Sequence, residues 1–294
     1  VRTDVAERDV LADILDATGL ELTQSVIVTG GRPRIYGPAL SIVVRGSARL
    51  GSQQVDEGTC VLRLSAEPEE IDVSEPDSKV CIVGYRFSRP VPHPLFDRMP
   101  QRMSLGGDHA RSVISMAHGV EVETGSVRPG WMIMITGLAR ALFIEYLRSY
   151  EEATPEEEYR SPLSDPVVYQ ALQYVHEDPG HDWSSEELAG AVGLSRATFY
   201  RRFTALIGLA PAKYLARWRL LQAQLLLGAG THGVTEVAEL FGYGSAAAFS
   251  RAFKRYAGAP PTDLLVDRGR TPRTSWVREV TEDRLELRKE LRAP

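Results

Sequence analysis

The second half of the chain contains one stretch of sequence twice, and that repeat limits the folds open to it. Glu187-Leu188-Ala189-Gly190-Ala191-Val192-Gly193 matches Glu236-Val237-Ala238-Glu239-Leu240-Phe241-Gly242 at an offset of 49. Ser195–Phe203 (SRATFYRRF) then matches Ser245–Phe253 (SAAAFSRAF) at an offset of 50. The extra residue falls in the turn, where Tyr243-Gly244 stands against Leu194 alone. Gly208 and Pro211 recur as Gly258 and Pro261 at the same offset of 50. Two copies in register imply one supersecondary unit built twice.

Each copy reads as a helix, a tight turn and a second helix. Ser184 or Ser185 is placed to cap the first helix of the first copy, with glutamates in its opening turn, and Thr235 is expected to do the same in the second. Ala189 and Ala238 are small enough for helices to cross closely. Gly193 and Gly242 supply the left-handed residue that ends the first helix, and Ser195 and Ser245 cap the next. This is the sequence form of a helix-turn-helix.

The second helix of each copy carries the chemistry. At about 100° per residue, Phe199, Phe203 and Leu206 share one face, with Ala197, Arg201 and Thr204 opposite and Tyr200 at the edge. In the second copy Phe249, Phe253 and Tyr256 form the core face, with Ala247, Arg251 and Lys254 opposite and Arg255 nearby. Arg196, Arg201 and Arg202 are the only charges on Ser195–Leu206, a local +3, and Ser245–Tyr256 is likewise +3 without an acid. Focused positive charge of this kind suits phosphate and base-edge contact. Between the copies, Ala210–Leu227 reads as a helix with Tyr214, Leu215, Trp218, Leu221, Leu225 and Leu226 on its apolar face. About 17 residues give a rod of about 25 Å, fit to hold two such helices near one duplex turn apart.

Global charge argues the other way until it is divided. The chain of 294 residues has a net charge of -5. Residues 1–162 sum to -7, whereas 163–270 and 271–294 each sum to +1. The acidity belongs to the first half. There, a short amphipathic helix is expected within residues 4–18. Short β-rich runs follow at Gln24–Thr29, Ala39–Arg45, Ser47–Gly51, Thr59–Ser65, Glu70–Val73 and Lys79–Phe87, with Gly46 and Gly58 as turns. Such spacing implies a sandwich or small barrel. Pro90–Pro100 reads as an irregular crossing, and 107–119 and 130–150 as helices. EEATPEEEYRSP (151–162) reads as a linker. A terminal helix within Arg273–Arg292 is expected.

Cys60 and Cys81 are far apart in sequence and read as small buried strand residues rather than a redox pair. No secretory signal is visible, and Trp131–Leu147 is too short and too charged for a membrane span. The expected setting is the cytoplasm.

The stretch from about Pro166 to Leu265 resembles the AraC/XylS family of bacterial transcription regulators. The carriers are SSEELAGAVGLSRATFYRRF, PAKYLARWRLLQAQLLL and VTEVAELFGYGSAAAFSRAFKRYAGAPPTDL. The resemblance implies two helix-turn-helix units in successive major grooves of double-stranded DNA. It places base-reading positions at Ala197, Thr198, Tyr200 and Arg201, and at Ala246, Ala247 and Arg251, with Arg196, Lys254 and Arg255 as further DNA contacts. Ala246-Ala247-Ala248 departs from that pattern by offering no long polar side chain. The second unit is therefore expected to favour phosphate and thymine-methyl contacts.

The first half is similar to the cupin-like domains of the same family, carried by RGSARLGSQQVDEGTCVLRLSAEP. It lacks the His-x-His and later His of metal-using cupins, the first histidine being His93. His93, His109 and His118 read as surface or core residues, and no metal or cofactor is expected.

The resulting fold class is α+β in two domains. An N-terminal cupin-like β-barrel with flanking helices (1–150) senses a ligand or holds a dimer. A linker (151–162) leads to an all-α tandem helix-turn-helix domain (163–268) and a C-terminal tail (269–294). The expected partners are DNA, a small-molecule effector, RNA polymerase and a second copy of the chain. Two other readings stay open. One is a cupin-type enzyme with an accessory helical domain, marked by stoichiometric bound metal. The other is a module whose helical repeats bind protein through the Leu225-Leu226 face.

Overall fold

The computed structural model describes residues 9–89, 93–126, 128–155 and 161–265. The expected terminal helix and part of the expected linker lie outside these residues.

The strand-rich part is a sandwich of two antiparallel sheets. Its strands are β1 (Leu20–Val28), β2 (Arg34–Ile35), β3 (Ala39–Arg45), β4 (Ser47–Leu50), β5 (Gln53–Asp56), β6 (Cys60–Arg63), β7 (Glu69–Asp72), β8 (Lys79–Phe87) and β9 (Arg102–Leu105). One sheet runs β1-β8-β3-β6-β9 and the other β2-β7-β4-β5. Gly46 and Gly58 have φ of 72° and 82°, the left-handed turn geometry that a side chain disfavours. Val28, Ile35, Val43, Leu50, Val61, Ile71 and Ile82 belong to one buried cluster of this unit.

Strands β3, β6 and β8 are buried along nearly their whole length rather than at alternate residues. A half-exposed sheet alternates, so both faces of this one are covered. The second cover is a helical hairpin of α3 (Arg111–Gly125) and α4 (Trp131–Ala153); the short helix α2 (Pro94–Arg98), earlier in the chain, is not part of it. Tyr85 and Tyr146 donate their hydroxyls to the carbonyls of Ala139 (2.9 Å) and Met103 (2.6 Å), tying α4 to the sheet. Ile42 on β3 pairs with Cys60 on one side and Cys81 on the other. Both are free, buried thiols, and burial pushes each up to about 12, so neither is a thiolate at neutral pH. Arg63 is buried too. Its guanidinium donates to the carbonyls of Ser65, Glu67, Ile35 and Gly37 and lies 3.5 Å from Glu69, which satisfies the charge.

The helical part comprises α5 (Pro166–Glu177), α6 (Ser185–Ala191), α7 (Arg196–Ile207), α8 (Pro211–Gly228), α9 (Val234–Leu240) and α10 (Ala246–Ala257). A first helix, α1 (Val10–Thr18), and α2 fall in the same compact unit, whereas β1–β9, α3 and α4 form the other. Val10, Ile14, Ala17 and Leu95 are buried in one apolar cluster with Phe199, Phe203, Tyr214, Trp218, Phe249 and Phe253.

A buried polar chain fastens these early segments. His93 Nδ1 accepts from the Leu95 amide (3.1 Å), which assigns its proton to Nε2, 3.1 Å from the Tyr214 hydroxyl. That hydroxyl then donates to His176 Nε2 (2.7 Å), leaving Nδ1–H to face Asp13 Oδ2 at 3.3 Å. Trp218 stacks on the His176 ring at 3.6 Å. Gln224 donates to the Ala17 carbonyl (3.0 Å), and Arg217 pairs with Asp97 (3.1 Å).

Candidate nucleic-acid interface

The two copies of the repeat fold into the same local geometry. Gly193 and Gly242 both have φ of 71°. Leu194 N donates to Ala189 O, and Tyr243 N to Ala238 O, both at 2.9 Å, closing the same six-residue loop. Each is the bond that ends a helix through a left-handed residue. Ser195 Oγ accepts from Thr198 N (3.3 Å), and Ser245 Oγ from Ala248 N (3.1 Å), starting α7 and α10. Ser184 caps α6 through Glu187 N (3.0 Å). Thr235 is not the corresponding cap of α9. It lies inside the helix, and Gly233 holds the cap position, its amide donating to the Glu236 carboxylate at 3.4 Å. A glycine has no side-chain acceptor, so the helix's own third residue satisfies the end.

Phe199 and Phe203 on α7, and Phe249 and Phe253 on α10, are fully buried. The opposite faces are open. On α7, Arg196, Ala197, Thr198, Tyr200 and Arg201 are exposed; on α10, Ala247, Arg251, Lys254 and Arg255 are exposed. Ala246 is half-buried against the core, so of the two alanines only Ala247 stands in the open. Tyr256, expected in the core, is 37% exposed and lies under the Arg255 guanidinium at 5.4 Å. Leu225 and Leu226 are half-buried and pack on the core.

The charge count on α7 changes. Arg202 does not stand with Arg196 and Arg201; its Nε and Nη2 lie 2.8 and 2.7 Å from Asp165 Oδ2. Asp165 is fully buried, and its Oδ1 accepts from the amides of Val167 and Val168 (both 3.1 Å), capping α5. Arg202 therefore binds α7 to the start of α5, and the outward charge of α7 is +2. Asp165-Pro166 is legible in sequence as a helix start, but its pairing with a residue 37 positions away is not. Arg219 is a second cation committed inside the unit, at 13% exposure. Among the described residues, no ion pair engages Arg196, Arg201, Arg251 or Lys254. No group of metal-ligating side chains occurs among the described residues either.

Two family models match separate stretches of the chain. Residues 188–266 match the model of a helix-turn-helix domain, and residues 26–152 that of a cupin domain. An AraC-like transcription regulator of Streptomyces antibioticus is 34% identical over 184 residues, which cover 61% of each chain. The transcriptional regulator AlkR of Acinetobacter baylyi is 32% identical over 137 residues, 46% of this chain and 45% of that one. The crystallised DNA-binding domain of AdpA, in complex with a target DNA, is 36% identical. That match covers 37% of this chain and 99% of that domain, with a TM-score of 0.34. The chain thus spans about three fifths of the length of the Streptomyces protein.

Proposed function

Since this chain belongs to the AraC family and carries a cupin domain beside its helix-turn-helix domain, we propose that it is a sequence-specific DNA-binding transcription regulator. The observation that carries the reading is the equivalence of α7 and α10. Two helices with the same caps and the same buried Phe pairs turn open, acid-free basic faces outward from one core. Long arginines and small alanines on such faces suit a major groove, the first for phosphate or guanine edges and the second for close approach. The proposed contacts are Arg196, Ala197, Thr198, Tyr200 and Arg201 on α7, and Ala246, Ala247, Arg251, Lys254 and Arg255 on α10. Residues 163–268 form the DNA-binding domain in this reading, completed by α1 and α2.

The sandwich takes the role of sensor for a small-molecule effector or of a homodimer contact, and RNA polymerase is the further partner of a regulator of this kind. That the relatives carry regulator names supports this over a catalytic role. No helix among the described residues is long and apolar enough to cross a membrane.

The test is enrichment of random duplexes by the purified full chain, with and without metabolite pools. A single enriched motif whose binding weakens steeply with salt is expected. Retention of no sequence over bulk competitor at moderate salt overturns the proposal.

A further inference from the structure

A linking helix alone does not fix the relation between two helix-turn-helix units. α8 begins just after the α7 end at Gly208 and is followed by residues 229–233, so the chain can turn at both ends. The structure supplies a second connection. The segment Asp178–Ser184, between α5 and α6, leads into the first unit. Three consecutive carbonyls of this segment converge on one side chain of α8. Arg219 Nε donates to Pro179 O (2.7 Å), and Nη2 to Gly180 O (3.3 Å) and His181 O (2.9 Å). Asp182 Oδ1 lies 3.8 Å away but is fully exposed, so its charge adds little.

The same segment meets the turn of the second unit. A Cβ on Gly180 would stand 2.9 Å from the Leu240 carbonyl oxygen at the end of α9. A Cβ on Gly242 would stand 3.4 Å from the Gly180 carbonyl oxygen and 3.8 Å from the Arg219 guanidinium. Two backbones thus touch with no side chain between them, and the guanidinium sits beside both. The arrangement closes a ring: α6–α7, α8, α9–α10, and back through Gly242 and Gly180 to the segment before α6. A planar fork of donors suits three carbonyls in a row, and a lysine ammonium cannot span them equally.

We propose that Arg219, clasping Pro179–His181 against the Gly242 turn, is a positioning residue that sets the distance and phase between α7 and α10. The chain then accepts only one spacing of the two DNA half-elements. The proposal rests on the DNA-binding reading for its consequence, though not for its geometry. One inserted base pair moves a half-element by about 3.4 Å and about 34° around the duplex, which a rigid pair of readers cannot follow.

The experiment measures affinity of the full chain for its enriched duplex and for versions with one base pair inserted or deleted between half-elements. For the wild-type chain, either change is expected to weaken binding at least ~10-fold, the scale of a lost half-element contact. For Arg219→Ala the penalty should fall below ~3-fold while base preferences within each half-element persist, and Arg219→Lys should lie between. An unchanged penalty in folded Arg219→Ala overturns the proposal, as does an equal loss at every spacing. Should Arg219→Ala fail to fold, Gly180→Ala keeps the test alive. Its methyl pushes the two backbones apart with the guanidinium in place, and a shifted optimum spacing is expected.

A second arm needs no DNA. Spin labels at Ala205→Cys and Glu239→Cys, both exposed positions, report the separation of the two units. A narrow distance distribution that broadens on Arg219→Ala supports the clasp, and equal widths overturn it. Absence of DNA binding by the wild-type chain would instead overturn the functional reading and leave this arm standing.

Discussion

Replacing Arg202 with alanine separates two jobs that a basic residue on α7 can perform. The deletion takes the guanidinium away from the buried Asp165 carboxylate, which still accepts from the Val167 and Val168 amides. Removing one member of a fully buried ion pair costs about 3–5 kcal/mol. Arg202 is 35% exposed, so water already screens part of this pair and can enter the vacated space. The expected cost is therefore nearer ~2 kcal/mol. Asp165→Ala also removes the α5 cap, worth about 1 kcal/mol, for a total of about 3. Asp165→Asn keeps a capping oxygen and should cost less than Asp165→Ala. Because the two residues touch, the Arg202→Ala/Asp165→Asn double variant should lose about 1–2 kcal/mol less than the sum of the single changes. The assay is urea unfolding of the full chain followed by tryptophan fluorescence, with Trp218 buried in the affected core. It is paired with anisotropy of the enriched duplex across a salt series. Arg202→Ala should lower the unfolding midpoint and leave the salt slope unchanged, whereas Arg201→Ala should reduce that slope by about 1. An Arg202→Ala protein with a wild-type midpoint but weaker, less salt-dependent binding would show the guanidinium on phosphate rather than on Asp165, and would refute the assignment.

Arg201→Ala should relax sequence preference more than Arg251→Ala, because Arg201 stands among Thr198 and Tyr200 while Arg251 stands beside Ala247; equal changes across a binding-site library would remove the ordering. Burial, with smaller contributions from His176 and Arg217, holds the His93 imidazole well below its ordinary pKa. The unfolded chain, whose histidine titrates near ~6.5, therefore binds a proton in acid that the folded chain refuses. Its contribution to stability is complete above about pH 6.5 and is lost below it, by up to ~1.4 kcal/mol per pH unit. His93→Asn, which can still accept from Leu95 N, should flatten that part of the pH profile of the urea midpoint, and parallel profiles would contradict the reasoning. Ile14→Ala should cost about 2–5 kcal/mol in thermal or urea unfolding of the helical unit, since the side chain is fully buried in its core. An unchanged midpoint would mean that α1 does not belong to that core.

What could be read in the sequence depended on how local its cause was. The repeat was legible because glycines and serines at fixed offsets do local work, which the paired φ values and caps reproduce. The cap of α9 is hidden in the sequence because a Thr two residues into a helix resembles a cap when no alternative acceptor is visible, and Gly233 offers none of its own. Strands β2 and β5 are silent in the sequence for a related reason. Gln53–Asp56 is QQVD, with Val55 its only buried residue, and Arg34–Ile35 is two residues long. Pairing with a neighbour, rather than apolar alternation, makes them strands. The placement of α1 and α2 in the helical core was beyond reach altogether. Asp13 and His176 are 163 positions apart, and nothing in either neighbourhood names the other.

The same distinction governs how charge should be counted. Summed along the sequence, the two second helices carry six cations and no acid. One of them, Arg202, is committed to Asp165, and the nearby basic residues Arg217 and Arg219 of α8 are committed to Asp97 and to the Pro179–His181 carbonyls. A cation fixed by an internal partner releases no counterion on meeting DNA. Five remain on the outward faces: Arg196, Arg201, Arg251, Lys254 and Arg255. If each neutralises one phosphate, the slope of log affinity against log salt for one chain on one site is about -4.5. Titration of the enriched duplex from low to moderate salt measures it directly. A slope well beyond -6 would require cations from outside α7 and α10, and one shallower than about -2 would mean that only one of the two helices reaches the backbone.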